Sequence, residues 1–167
     1  MRRVHGGFTL VELLVVLAIM GLLLGIVLPT VLNAPQAAKL EKARAEVASL
    51  DMALKAYERE YKVWPDGLEG GSARSFNSDL VQIMTGLKTS PDRNKNPNRR
   101  PFIEVGGLST NTAGELVDPW DEPYRCAVDH NFDNLIATEA GTVTGRTTAV
   151  WSKGDPKASP QAFIRSW

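Results

Sequence analysis

The sequence predicts an α+β chain, a long bent amino-terminal helix packed on a small antiparallel β-sheet, and three observations predict it. From Leu13 to Leu28 no side chain is charged or strongly polar. From Gln36 to about Val63 apolar residues recur at alternating spacings of three and four, the period of an amphipathic helix. From Leu116 to Ser152 short apolar segments alternate with turn residues, as in a small antiparallel sheet. A length of 167 residues suggests one anchored domain and not two.

The apolar run comes first. If residues 8–32 are helical they extend roughly 37 Å, at about 1.5 Å per residue. That crosses a hydrocarbon core of about 30 Å, so 8–32 reads as a transmembrane and assembly helix. A secretory signal peptide fits the basic start, but its apolar region is shorter and ends at a small-residue cleavage site that Leu28-Pro29-Thr30-Val31-Leu32 does not offer. A plain anchor leaves Glu12 unexplained. A carboxylate in the outer part of a membrane helix costs up to about 3 kcal/mol unless it finds a partner.

The residues Gly7-Phe8-Thr9-Leu10-Val11-Glu12 resemble the cleavage and methylation site of type IV pilins and type II secretion pseudopilins. The likeness covers roughly the first third of the chain. It implies that residues 1–7 are a leader, that a prepilin peptidase cuts between Gly7 and Phe8, and that the new amino group of Phe8 is methylated. Glu12 and Pro29 match the glutamate and the proline of the family's amino-terminal helix. Physically, cutting after Gly7 removes Arg2 and Arg3 and creates an α-ammonium at Phe8. Glu12 can then pair with that ammonium on its own chain, one turn away, or on a neighbouring subunit. The second pairing would set the stagger between subunits, because an unpaired buried partner costs about 3–5 kcal/mol. Gly21 and Gly25 permit close helix approach. Gly25 also relieves the crowding that Pro29 imposes on residue i−4, which allows a bend or local unwinding there, and Pro35 offers a second bend. Arg2 and Arg3 place the amino terminus in the cytoplasm, which puts everything after Leu32 outside the inner membrane, in the periplasm.

The amphipathic stretch, helix 36–63, carries Leu40, Ala43, Val47, Leu50, Leu54, Tyr57 and Tyr61 on one stripe. It reads as a helix laid on its own sheet, with a coiled-coil seam as the alternative, and Trp64-Pro65 stops it. Residues 66–115 form a variable loop region. Within it Ser78–Leu87 reads as a short helix, capped by Ser78 or Asp79 and closed by Gly86. The basic cluster at 93–100 lacks the interleaved aromatics of a nucleic-acid surface, so it reads as a solvated loop or a subunit contact.

The sheet is expected over 116–152 and a C-terminal loop over 153–167, which completes a head spanning 33–167. Asp118-Pro119-Trp120-x-x-Pro123-Tyr124 and Val150-Trp151-Ser152-x-Gly154 resemble the matching segments of major pseudopilins. This second likeness implies a pilin-like fold and narrows the family to the pseudopilin branch.

That branch holds calcium in the loop after its serine-x-glycine element, which makes calcium a candidate cofactor. Here Asp155 is the only carboxylate of that loop, with Lys153 and Lys157 on either side. Calcium takes six to eight oxygens. Asp129, Asn131 and Asp133 match the opening of a calcium loop, but Asn134 replaces its glycine and no glutamate closes it. A turn built from Asp and Asn explains the same residues more simply. Cys126 is the only cysteine, so no intrachain disulfide forms, and it reads as a small buried apolar residue. Neither His5 nor His130 joins a metal constellation, and no nucleophile elbow or P-loop is present. An enzyme survives only as a carboxylate pair, Asp118 with Asp121.

The formal charge is zero, with 19 basic and 19 acidic residues, and loss of Arg2 and Arg3 leaves the mature chain near −2. No nucleic-acid partner is expected. The resemblance implies a structural, non-enzymatic subunit that polymerises with itself into a helical filament. Its other partners would be prepilin peptidase, minor pseudopilins, an inner-membrane assembly platform and inner-membrane lipid. A type IV or competence pilin used for adhesion or DNA uptake is the first alternative. A monomeric membrane-anchored periplasmic binding protein is the second.

Overall fold

The apolar run and the amphipathic stretch form one helix. The computed structural model describes residues 8–88, 90–158 and 162–167, with the backbone alone at 27–34 and 105. Helix α1 runs Leu10–Tyr61 and contributes to both of the chain's compact units, 1–38 and 39–167. Residues 33–35, between the two stretches of the expected bent helix, are helical. A proline removes one helical hydrogen bond and leaves the others available, so Pro35 sits inside the element. The bend expected at Pro29 lies outside the described side chains.

In the second unit, α1 buries the stripe that its periodicity predicts: Ala43, Val47, Leu50, Leu54, Tyr57 and Tyr61. Each large side chain removed from water contributes about 1.5–3 kcal/mol. The stripe covers an antiparallel sheet whose spatial order is β1 (Arg74–Ser75), β4 (Arg125–Val128), β7 (Thr148–Ser152) and β8 (Ile164–Arg165). Two smaller pairs accompany it: β2 (Ser109–Thr110) with β3 (Leu116–Val117), and β5 (Leu135–Thr138) with β6 (Gly141–Thr144). The unit is therefore α+β, a helix on a small antiparallel sheet.

The central strands are buried on both faces. Cys126, Val128 and Val150 join the cluster under α1, while Ala127, Ala149 and Trp151 join a second cluster with Ile136 and Val143 of the β5–β6 hairpin. Successive side chains alternate between faces, so all five residues of β7 are buried although they serve two cores. The sheet also reaches beyond 116–152, since β1 and β8 are its edges.

The variable region is built around two polar anchors, Asn77 and the buried Asn96. Helix α2 spans Ser78–Met84 and is capped by Asn77, whose side chain accepts from Leu80 N at 3.1 Å. Neither Ser78 nor Asp79 caps it. Asn77 has the extended backbone a cap requires, while Asp79 pairs with Lys88 at 2.6 Å. Asn96, fully buried, holds the 90–101 loop. Its side chain accepts from Tyr61 Oη (2.7 Å) and Arg100 N (2.9 Å) and donates to the Ile83 and Arg100 carbonyls (both 2.7 Å). Tyr57 Oη accepts from Asn96 N at 2.9 Å and donates to Arg93 O at 2.8 Å.

Candidate assembly site

Thr9 and Glu12 open α1 as a capping box. Thr9 N and Thr9 Oγ1 donate to Glu12 Oε2 at 2.9 and 2.6 Å, and Glu12 N donates to Thr9 Oγ1 at 3.3 Å. The arrangement meets donors that a helix start leaves unpaired, and it puts the acid at the positive end of the helix dipole. The partner of Glu12 in the described chain is thus Thr9, which the sequence reading had not named. The T-x-x-E spacing is a known capping signature and was available to find it.

Around this cap the surface is apolar and open. Phe8 is 82% exposed, and Leu10, Val11, Leu13, Leu14 and Leu17 are exposed as well. A methyl group added at Gly21 or Gly25 would meet nothing within 4 Å. Among the described residues no helix is long and apolar enough to cross a membrane. The span expected over 8–32 continues into Val27 to Leu32, whose side chains lie outside them, as does that of Pro29. Gly7 and the leader at 1–7 also fall outside the described residues. A continuous apolar surface of this kind marks a contact with lipid or protein.

In the head, the two segments that carried the second resemblance are tied to one another. Asp118 is buried and its carboxylate accepts from Trp120 N (2.8 Å), Glu122 N (3.0 Å) and Ser152 Oγ. Ser152 Oγ in turn accepts from Gly154 N at 2.8 Å. One carboxylate therefore closes the 118–124 turn and pins the 152–154 loop. Gly154 has φ +69°, and a Cβ there would stand 2.9 Å from the Ala162 carbonyl, so this position requires glycine. Asp121 is exposed and its amide donates to Asp118 O. The two carboxylates considered as an enzymatic pair are parts of a turn, and that of Asp118 is committed to three donors.

The calcium candidates are also structural. Asp129 is buried and accepts from Asp133 N (3.2 Å) and Asn134 N (2.9 Å), while Asp133 accepts from Asn131 Nδ2 (2.8 Å) and Leu135 N (2.8 Å). These bonds make a turn in which Phe132 and Asn134 take left-handed backbone. Asp155 caps Lys157 N at 2.8 Å. Among the described residues no three His, Cys, Asp or Glu side chains converge on a metal position, and the sequence after Asp155 contains no acid. This donor set does not fit calcium. The C-terminal segment is held by other means. β8 pairs with β7, Ser166 N donates to Val150 O (3.0 Å), Val150 N donates to Ser166 Oγ (3.1 Å), and Trp167 meets Trp151 edge-on at 6.2 Å between centroids.

Comparison with known proteins joins the two ends of the chain. A family model for the prokaryotic N-terminal methylation motif matches residues 2–28. Type II secretion system core protein G of Pseudomonas aeruginosa is 32% identical over 124 residues, which is 74% of this chain and 74% of that protein. The chain belongs to the core protein G family, the major pseudopilins. The Escherichia coli member is 33% identical over 71% of this chain and 68% of its own length. That of Aeromonas hydrophila is 26% identical over 84% and 90% respectively. No solved structure matches. The family's members are structural subunits.

Two further buried acids escaped the sequence reading. Glu46 accepts from Tyr124 Oη at 2.5 Å. Asp51 accepts from Thr148 Oγ1 at 2.5 Å and from Lys55 Nζ at 2.7 Å. Both lie on the amphipathic helix among exposed charges, and no local pattern separates them from those charges. Burial, and secondly the bond to Glu46, raises the Tyr124 hydroxyl far above its usual range, so it stays a donor.

Proposed function

We propose that this chain is the major structural subunit of a type II secretion pseudopilus, cut between Gly7 and Phe8, methylated at Phe8, and polymerised through its amino-terminal helix. The methylation motif at 2–28, on a chain whose relatives are core G proteins, is the observation that carries this reading. The exposed apolar surface from Phe8 to Ile26 supports the helix as the packing element, first against inner-membrane lipid and then against other subunits. Glu12 changes partner on processing: its carboxylate exchanges Thr9 for a Phe8 ammonium, of its own chain or a neighbour. Gly21 and Gly25 allow helices to approach there, and Pro29 supplies compliance. The head stands in the periplasm and the amino terminus in the cytoplasm. The chain performs no catalysis; prepilin peptidase, minor pseudopilins and an assembly platform act on it or with it.

Deleting the gene tests the role. Exported enzymes should accumulate in the periplasm and return to the medium when the wild-type chain is supplied. Glu12→Ala should fail to restore export while still being cut after Gly7. Normal export in the deletion strain would refute the reading, and full rescue by Glu12→Ala would refute the role of that acid.

A further inference from the structure

A groove of about 550 Å³ opens within the head, between Leu40 and Arg44 on α1 and the C-terminal segment from Ala162 to Trp167. Side chains alternate in direction along a strand, so Ile164 enters the core while Phe163, Arg165 and Trp167 share the outer side. Arg165 lies between the other two, its guanidinium carbon 5.6 Å from the centroid of each ring. A guanidinium that meets rings through its faces keeps its in-plane N–H donors for an anion. Arg165 is exposed and has no ion pair among the described residues. Across the groove, Arg44 gives one nitrogen to Glu41 at 2.7 Å and keeps the rest of its fork.

The helical side of this groove is where the head begins. Leu40 follows Leu32, the last residue of the expected span, by about 12 Å of helical path, at about 1.5 Å per residue. The headgroup layer outside a hydrocarbon core of about 30 Å is roughly 6 Å deep. The rest of that path, roughly 6 Å, is shorter than the Debye length of about 8 Å at physiological salt. Residues 39–46 and β8 carry four cations, Lys39, Lys42, Arg44 and Arg165, against two acids, Glu41 and Glu46. Lys39 also lies over the Trp120 ring, 5.9 Å from its centroid. Cations set among tryptophan and phenylalanine rings suit the surface of a membrane that carries negative charge.

We propose that this groove holds the headgroup of an anionic phospholipid while the subunit is anchored in the inner membrane. Arg165 and Arg44 bond the phosphate oxygens, and Phe163 and Trp167 lie against the glycerol and the upper acyl chain. The proposal rests on the anchored reading above. It is tested with the full-length chain in vesicles of equal phosphatidylglycerol and phosphatidylcholine. Ala162→Cys, exposed at the groove, carries a benzophenone maleimide; Cys126, the only natural cysteine, is fully buried and escapes the reagent. After irradiation, lipid adducts identified by mass should favour phosphatidylglycerol about fivefold. Arg165→Gln should bring that ratio near one, since a single basic side chain beside an anionic surface is worth about that factor. Arg44→Gln, on the exposed side of α1, leaves β8 untouched and should lower the ratio in the same direction. Equal adducts or none in the parent, an excess that survives both changes, or adducts to a second copy of the chain in place of lipid overturn the headgroup site alone. A chain that fails to float with the vesicles overturns the anchored reading, and this site with it.

Discussion

Replacing Asp118 by alanine removes the acceptor on which the 118–124 turn and the 152–154 loop both close. Three donors then lose it: Trp120 N, Glu122 N and Ser152 Oγ. Each buried donor left unmet costs about 1–3 kcal/mol, and the two amides are partly buried, which places the total near 3–4 kcal/mol. Ser152→Ala removes one donor to the carboxylate and the acceptor of Gly154 N, for about 1–2 kcal/mol. Because the two side chains share one bond, their effects must not add. The double-mutant cycle should return a coupling of about 1–2 kcal/mol, within the range found for residues in contact. The assay is urea unfolding of the purified full chain in detergent, followed by tryptophan fluorescence. Trp120 sits in the turn, and Trp151 precedes Ser152. Additive losses, or an Asp118→Ala variant as stable as the parent, would refute the claim that one carboxylate joins the two segments.

Other expectations follow from the same structure. Excess chelator should leave the melting temperature of the head unchanged, because its loops are closed by Asp118, Asp129 and the C-terminal strand; a marked drop would restore calcium to the account. Trp167→Ala should cost about 1–2 kcal/mol, the aromatic contact with Trp151 plus part of its burial, measured by the same unfolding assay. Hydrogen bonds from Asn111 and then Ser75 hold the Glu115 carboxyl below its usual range. A depressed folded value means that its contribution is present above the ordinary carboxylate pKa of about 4.3 and is lost as pH falls through the folded one. Stability below about pH 4.3 should therefore decline less steeply in Glu115→Gln than in the parent. Burial pushes the Cys126 thiol up to about 12, so iodoacetamide should label it only on unfolding; rapid labelling of native chain would contradict its placement in the core.

Much of this architecture was legible because periodicity reports burial. The stripe Ala43, Val47, Leu50, Leu54, Tyr57 and Tyr61 gave α1 its face, and the short apolar segments set between turn residues over 116–152 placed the central strands. β1 and β8 were not legible. Two residues carry no period, and each exists only through its pairing with a neighbouring strand. Asn96, Glu46 and Asp51 look in sequence like any solvated polar residue on a loop or helix. Their burial comes from Tyr61, Tyr124 and Thr148, each at least 35 residues away in the chain. The Thr9–Glu12 box is a different case: its spacing was readable, but the surrounding apolar run drew attention to depth in the membrane and away from helix capping. Asp118 and Ser152 were singled out by resemblance, and the structure supplies the physical reason, a hydrogen bond between them.

The central claim is that this chain enters a polymer only after losing its leader, with Glu12 then meeting a new amino terminus. Intact-mass and amino-terminal peptide analysis of sheared filaments tests it most directly. The predicted result is a chain beginning at Phe8 and carrying one methyl group on its amino nitrogen; filaments built of subunits that retain Met1 to Gly7 would contradict it.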